Sequence, residues 1–209
     1  MTRHTPSDDL KQLSREALDA MREVANIGAG HAATALSQIT TQRIMISVPQ
    51  INIVTLEAVP NQIGAAEEPV AAIAIRMDGD LTGVTLLVFP QPIALRVAGL
   101  MMGKRVSELG DIAQSALKEA ANILSGAYLN ALAEFLRMRI LNSPPVLAVD
   151  MSDAVLSSTY LEASQGSEYV FCVESEFQLQ NDTAPLRGYF LLLPDPPSLR
   201  AMLNAIRVA

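Results

Sequence analysis

Asp19-Ala-Met-Arg-Glu23-Val-Ala-Asn26-Ile27-Gly-Ala-Gly30 and Ser115-Ala-Leu-Lys-Glu119-Ala-Ala-Asn122-Ile123-Leu-Ser-Gly126 are two versions of one segment, 96 residues apart. Glu, Asn and Gly recur at the same spacing, as do Ala20/Ala116, Ala25/Ala121 and Ile27/Ile123. The register continues through Ala35/Ala131, Leu36/Leu132, Ile44/Ile140 and Pro49/Pro145. Such a repeat decides the architecture before any single element is assigned, because both copies must fold alike.

Each quoted segment lies inside a predicted long helix. Residues 14–40 carry apolar or small residues at Leu18, Met21, Ala25, Ala29, Ala32, Leu36 and Ile39, with a period near that of a helix, and Ser14 is a candidate cap. Residues 111–139 match, with Asp111 as cap and Ala116, Ile123, Tyr128, Leu132 and Phe135 along the helix. Gly28 and Gly30 each weaken a helix by roughly 1 kcal/mol relative to Ala. Close packing or a kink is the expected reason for keeping them.

A β-rich piece follows each helix: Ile44–Leu56 containing Pro49, and Ile140–Met151 containing Pro144-Pro145. Proline cannot donate to a ladder, so these pieces read as strand ends or a sheet edge. Paired strands come next. Val70–Met77 and Thr82–Phe89 are joined through Asp78-Gly79, a hairpin signal, and Tyr169–Leu179 and Leu186–Leu193 through Gln180–Thr183. Proline-started helices, Pro92–Met102 and Pro197–Val208, close the halves. Gly103–Gly110 is the natural junction. Ser152–Gly166 reads as a helix or loop specific to the second half. The expected fold is an α/β (α+β) domain with an internal pseudo-two-fold: two repeats, about 12–105 and 106–209, behind a flexible tail at 1–11. Their hairpins should merge into one mainly antiparallel sheet under the two long helices, since one hairpin with an extra strand buries little apolar area alone.

Bulk properties narrow the function. Half of the 209 residues are hydrophobic and 18% are charged, as in a folded domain. A net charge of -7 argues against nucleic acid or an anionic membrane as partner. The single cysteine, Cys172, excludes an internal disulfide and fits a reducing compartment. The polar start has no apolar h-region, and no apolar run reaches the ~20 residues of a membrane span, so a cytoplasmic location is expected. His4 and His31 lie far apart without neighbouring His or Cys, so no metal site is expected. Cys172, in an apolar strand, reads as inert core.

Only the repeated polar set looks like chemistry. Asp19, Glu23 and Asn26 fall at i, i+4 and i+7, on one helical face, and Ser115, Glu119 and Asn122 repeat the arrangement. A solvated helix face is the bland reading. Repetition weighs against it, because Asn is a mediocre helix former yet stands mid-helix twice, each time before Ile.

The spacing [Asp/Ser]-x3-Glu-x2-Asn-x22-Pro resembles the signature of the CheC/CheX/FliY phosphatases of chemotaxis. It occurs as Asp19, Glu23, Asn26, Pro49 and as Ser115, Glu119, Asn122, Pro145. By chance such a pattern arises at fewer than about one start position in ten thousand. The length is similar to that of stand-alone CheC. The resemblance implies hydrolysis of the aspartyl-phosphate on the response regulator CheY. It implies that Glu23 and Glu119 dock to the regulator's lysine and that Asn26 and Asn122 orient the attacking water, with Asp19 and Ser115 of the same motif expected to bind the substrate protein. The Mg2+ would come with the regulator. The rival expectation is a non-catalytic interaction protein, either a binder of the deamidase CheD or a relative of the flagellar switch protein FliM, whose middle domain lacks the Glu/Asn pair. A single working site is a third possibility.

Overall fold

The computed structural model describes residues 15–48, 50–62, 68–156, 169–179 and 185–208. The expected tail at 1–11, the Ser14 cap, Pro49, the 180–183 connection and residues 157–166 lie outside the described residues. In chain order the elements are α1 (Arg15–Thr40), β1 (Ile44–Ser47), β2 (Ile51–Thr55), a helical turn at Leu56–Ala58 and Val59–Gln62, β3 (Pro69–Gly79), β4 (Gly83–Pro90) and α2 (Gln91–Met102). The order then repeats with α3 (Asp111–Leu136), β5 (Ile140–Asn142), β6 (Val146–Met151), a turn at 152–156, β7 (Tyr169–Leu179), β8 (Leu186–Pro194) and α4 (Pro196–Val208).

Among the described residues, eight strands form one antiparallel sheet, ordered β1-β7-β8-β4-β3-β5, with β2 continuing the β1 edge and β6 the β5 edge. The two hairpins meet at the centre, where β4 pairs β8 from Gly83↔Pro194 to Val88↔Tyr189. The outer strands are exchanged. β1 and β2 pair with β7 of the second hairpin, and β5 and β6 pair with β3 of the first. Each edge piece breaks into two strands, one break falling between Ser47 and Ile51 and the other between Asn142 and Val146, where Pro144-Pro145 offers no ladder donor.

Alternation along the strands sends residues to two faces. On one face Ala71, Ile73, Leu87, Phe89, Phe171, Val173, Phe190 and Leu192 pack against α1, α3 and the flanking helices α2 and α4. On the other, Val70, Ala72, Leu86, Val88, Cys172 and Leu191 pack with Val59, Val155 and Leu156 from the helical turns. That second cluster was not legible from the strand pattern. Residues 152–156 are helical, as is their counterpart beginning at Leu56, so this turn is common to both halves rather than specific to the second.

Several local expectations need correction. Helix α3 ends at Leu136, not 139, because Arg137 turns into the left-handed region (φ 55) while its N–H and that of Met138 close back onto Glu134 and Ala133. Asp111 is the first helical residue rather than the cap, which is Gly110. Ile39 is exposed, and Leu117 and Leu124, rather than Ala116 and Ile123, lie deepest in α3. Asp78-Gly79 is not the hairpin turn. Strand β3 runs on through Gly79 to pair with β5, and the chain turns at Asp80–Thr82. Gly79 has φ 114, and a Cβ there would lie 2.6 Å from the carbonyl oxygen of Arg139.

The glycines of α1 divide. A Cβ at Gly28 would lie 2.9 Å from the Tyr128 Cα and 3.0 Å from the Ala127 carbonyl oxygen, so α1 and α3 touch backbone to backbone there. Gly30 is exposed with nothing within 4 Å of a Cβ, so close packing explains Gly28 alone.

Candidate functional site

The buried stripes of α1 and α3 turn their opposite faces outward. Glu23 and Glu119 are exposed, and neither makes an ion pair or hydrogen bond among the described residues. Both carboxylates are open to solvent. Asp19 is exposed and pairs with Arg22 at 3.2 Å, one turn along its own helix. Ser115 is exposed and donates its hydroxyl to the Asp111 carbonyl at 2.9 Å. Motif side chains of each copy thus stand on one accessible helix face, and both helices cover the same side of the sheet.

The asparagines differ. Asn122 is exposed and makes no hydrogen bond among the described residues. Asn26 is half-buried. Its Nδ2 donates to the Arg22 carbonyl at 3.1 Å, and its Oδ1 accepts the Val48 backbone N–H at 3.0 Å. This long-range bond, from mid-α1 to the end of the β1 segment, was not anticipated. The 22-residue gap between Asn26 and Pro49 in the motif was the available signal, since it places Val48 as the last residue before the proline.

His31 is exposed, and no group of three or more His, Cys, Asp or Glu able to hold a metal occurs among the described residues. Burial, with the Glu174 charge adding to it, pushes the Cys172 thiol up to about 12, which leaves it a neutral core thiol. The Tyr128 hydroxyl bonds the Ser175 hydroxyl at 2.7 Å in the core, and burial raises its pKa to about 12. Asp195 caps α4 by accepting the Ser198 N–H, and its carboxylate also takes the Thr82 hydroxyl. No helix among the described residues is long and apolar enough to cross a membrane.

The CheC-like family matches residues 16–53, and the chemotaxis phosphatase CheX family matches residues 71–162. The chain is 34% identical to the CheY-P phosphatase CheC of Bacillus subtilis, over 93% of this chain and 95% of that protein. It is 26% identical to a putative CheY-P phosphatase, CheC1, of Halobacterium salinarum, over 90% and 95%. Among solved structures, FliY of Thermotoga maritima superposes with a TM-score of 0.78 at 25% identity, covering 94% of this chain and 98% of that one. The FliM middle domain of H. pylori shares the fold, with a TM-score of 0.66 at 15% identity over 92% and 99%. The matched regions contain both Glu–Asn pairs, and the relationship to CheC extends over nearly the whole length of both chains: this protein belongs to the CheC-like family.

Proposed function

We propose that this protein is a phosphatase that hydrolyses the aspartyl-phosphate of a CheY-type response regulator, using Asn26 and Asn122 to orient water and Glu23 and Glu119 to dock to the regulator's lysine. The observation that carries this reading is the doubled Glu–Asn pair on the outer faces of α1 and α3, with both carboxylates open to solvent and without an ion pair among the described residues. Asp19 and Ser115, on the same helix faces, bind the regulator beside them. Binding to CheD is a further expectation of the family resemblance.

The chemistry asks for little more. Phosphoryl transfer depends mainly on positioning and on charge neutralisation. The water oxygen attacks phosphorus in line, the bond from phosphorus to the aspartyl oxygen breaks, and inorganic phosphate leaves with the carboxylate restored. A carboxamide donates to and accepts from one water, which aims its lone pair without acting as a base. A loose transition state needs little deprotonation of the nucleophile. The regulator would supply Mg2+, which neutralises charge on the phosphoryl oxygens. A carboxylate beside the regulator's lysine would fix the docking register.

The test is the decay rate of a phosphorylated CheY with and without this protein. Asn26→Ala with Asn122→Ala should remove the acceleration while the circular dichroism spectrum stays unchanged. Undiminished hydrolysis by the folded double variant rejects the water-orienting role, and no acceleration by the wild type favours a purely interacting protein.

A further inference from the structure

The two halves differ at one backbone group that bears directly on the asparagines. Val48 and Pro144 are equivalent under the repeat, each immediately before a motif proline, Pro49 or Pro145. The Val48 N–H holds Asn26 through its Oδ1 at 3.0 Å, while the other end of the same carboxamide is turned onto the Arg22 carbonyl. Pro144 has no N–H to give. Asn122 accordingly makes no such bond and is exposed.

We infer that the two sites are unequal: the Val48 N–H latches Asn26 against its own chain, and Pro144 leaves Asn122 free, so that the second site turns over faster. This rests on the phosphatase reading above. Pre-organisation helps catalysis only when the held geometry is the productive one. Here both polar ends of the Asn26 carboxamide face groups of its own chain. To aim a water with Oδ1 directed outward, Asn26 must leave Val48, which strands a half-buried N–H. A net hydrogen bond corresponds to about fivefold in rate, at the low end if the second Oδ1 lone pair is partly usable. Asn122 gives up only side-chain rotation on docking. Val48 is thus a positioning residue through its backbone, and its effect should fall on kcat with little change in KM, because the Glu that docks is one turn away.

Single-site proteins test this. The Asn26→Ala protein, working through Asn122, should keep most of the hydrolysis, and the Asn122→Ala protein should be about fivefold slower in kcat. Pro144→Val in the Asn26→Ala protein, which restores an N–H at an exposed position, should slow it toward the latched rate. Val48→Pro in the Asn122→Ala protein should speed it by a similar factor. The Val48 side chain is buried (3% exposed), so that variant can fail to fold. Pro144→Val and a readout independent of catalysis keep the idea exposed to refutation. That readout is hydrogen exchange of the Val48 amide, expected to be protected in the wild type and markedly faster in Asn26→Ala. Equal kcat values in the two single-site proteins, no response to Pro144→Val, or unchanged Val48 exchange in Asn26→Ala would each overturn the latch. If instead the Asn26→Ala/Asn122→Ala protein still hydrolyses the regulator, the phosphatase reading itself fails.

Discussion

Adding one methyl group at Gly28 and the same methyl group at Gly30 should move stability in opposite directions. In helix propensity alone, Gly→Ala stabilises by about 1 kcal/mol at either position. At Gly30 nothing lies within 4 Å of the new Cβ, so Gly30→Ala should keep that gain, about 0.5–1 kcal/mol. At Gly28 the Cβ lands 2.9 Å from the Tyr128 Cα and 3.0 Å from the Ala127 carbonyl oxygen. Those are backbone atoms, so no rotamer change relieves the contact. Tyr128 cannot slide away easily, because its hydroxyl is bonded to Ser175 and its ring lies 4.9 Å from that of Phe190. Overpacking of this kind costs about 1–3 kcal/mol, enough to cancel the propensity gain and exceed it. The two variants should therefore differ by about 2 kcal/mol or more, with wild type between them. In thermal unfolding that is roughly 4–8 °C, since 1 kcal/mol moves Tm by about 2–4 °C at this size. Urea midpoints at unchanged m-value give a second measurement. A Gly28→Ala protein as stable as Gly30→Ala would refute the backbone contact between α1 and α3.

Three further outcomes are expected. Glu23→Gln with Glu119→Gln should lower affinity for the phosphorylated regulator and flatten the ionic-strength dependence of kcat/KM, because docking ion pairs are screened by salt; an unchanged salt dependence counts against docking to lysine. Tyr128→Phe should cost about 1–2 kcal/mol by stranding the Ser175 hydroxyl, and adding Ser175→Ala should recover much of it, as a double-mutant cycle in denaturant would read. Partial burial works upward on the Asp195 carboxyl, but hydrogen bonds from Thr82 and Ser198 and the Arg200 charge outweigh it and hold its pKa below 3.8. Its stabilisation is therefore present above pH 3.8 and is lost as pH falls through the lower folded-state value. Asp195→Ala should cost about 1 kcal/mol at pH 7, with the gap from wild type narrowing only in that acid range.

Much of this architecture could be read from the chain. The 96-residue offset placed both long helices, both hairpins and both closing helices, because each depends on local period and on turn residues that recur together. What escaped the reading involved partners distant in sequence. Nothing near Ile44 or Ile140 indicates that the edge strands are exchanged between hairpins, since strand pairing leaves no local mark. The end of α3 at Leu136 depends on Arg137 adopting a conformation usually reserved for glycine. In the candidate site, the exposed placement of Asp19, Glu23, Ser115, Glu119 and Asn122 was legible from spacing. The tie between Asn26 and Val48 was not, because a backbone N–H has no letter in the sequence; only the proline at 144, which lacks one, leaves a visible trace.

The exchange of edge strands also bears on how the chain is made. As it leaves the ribosome, the first half can form α1 and the β3–β4 hairpin, but β1 and β2 have no ladder until β7 emerges, more than half the chain later. Strand β3 likewise keeps an open outer edge until β5 and β6 arrive. The nascent protein therefore carries sticky strands through most of its synthesis, and neither half should persist as a folded fragment. Closure of so long a loop makes folding slow and cooperative across both halves. Two separately expressed halves would be expected to find structure only in each other's company.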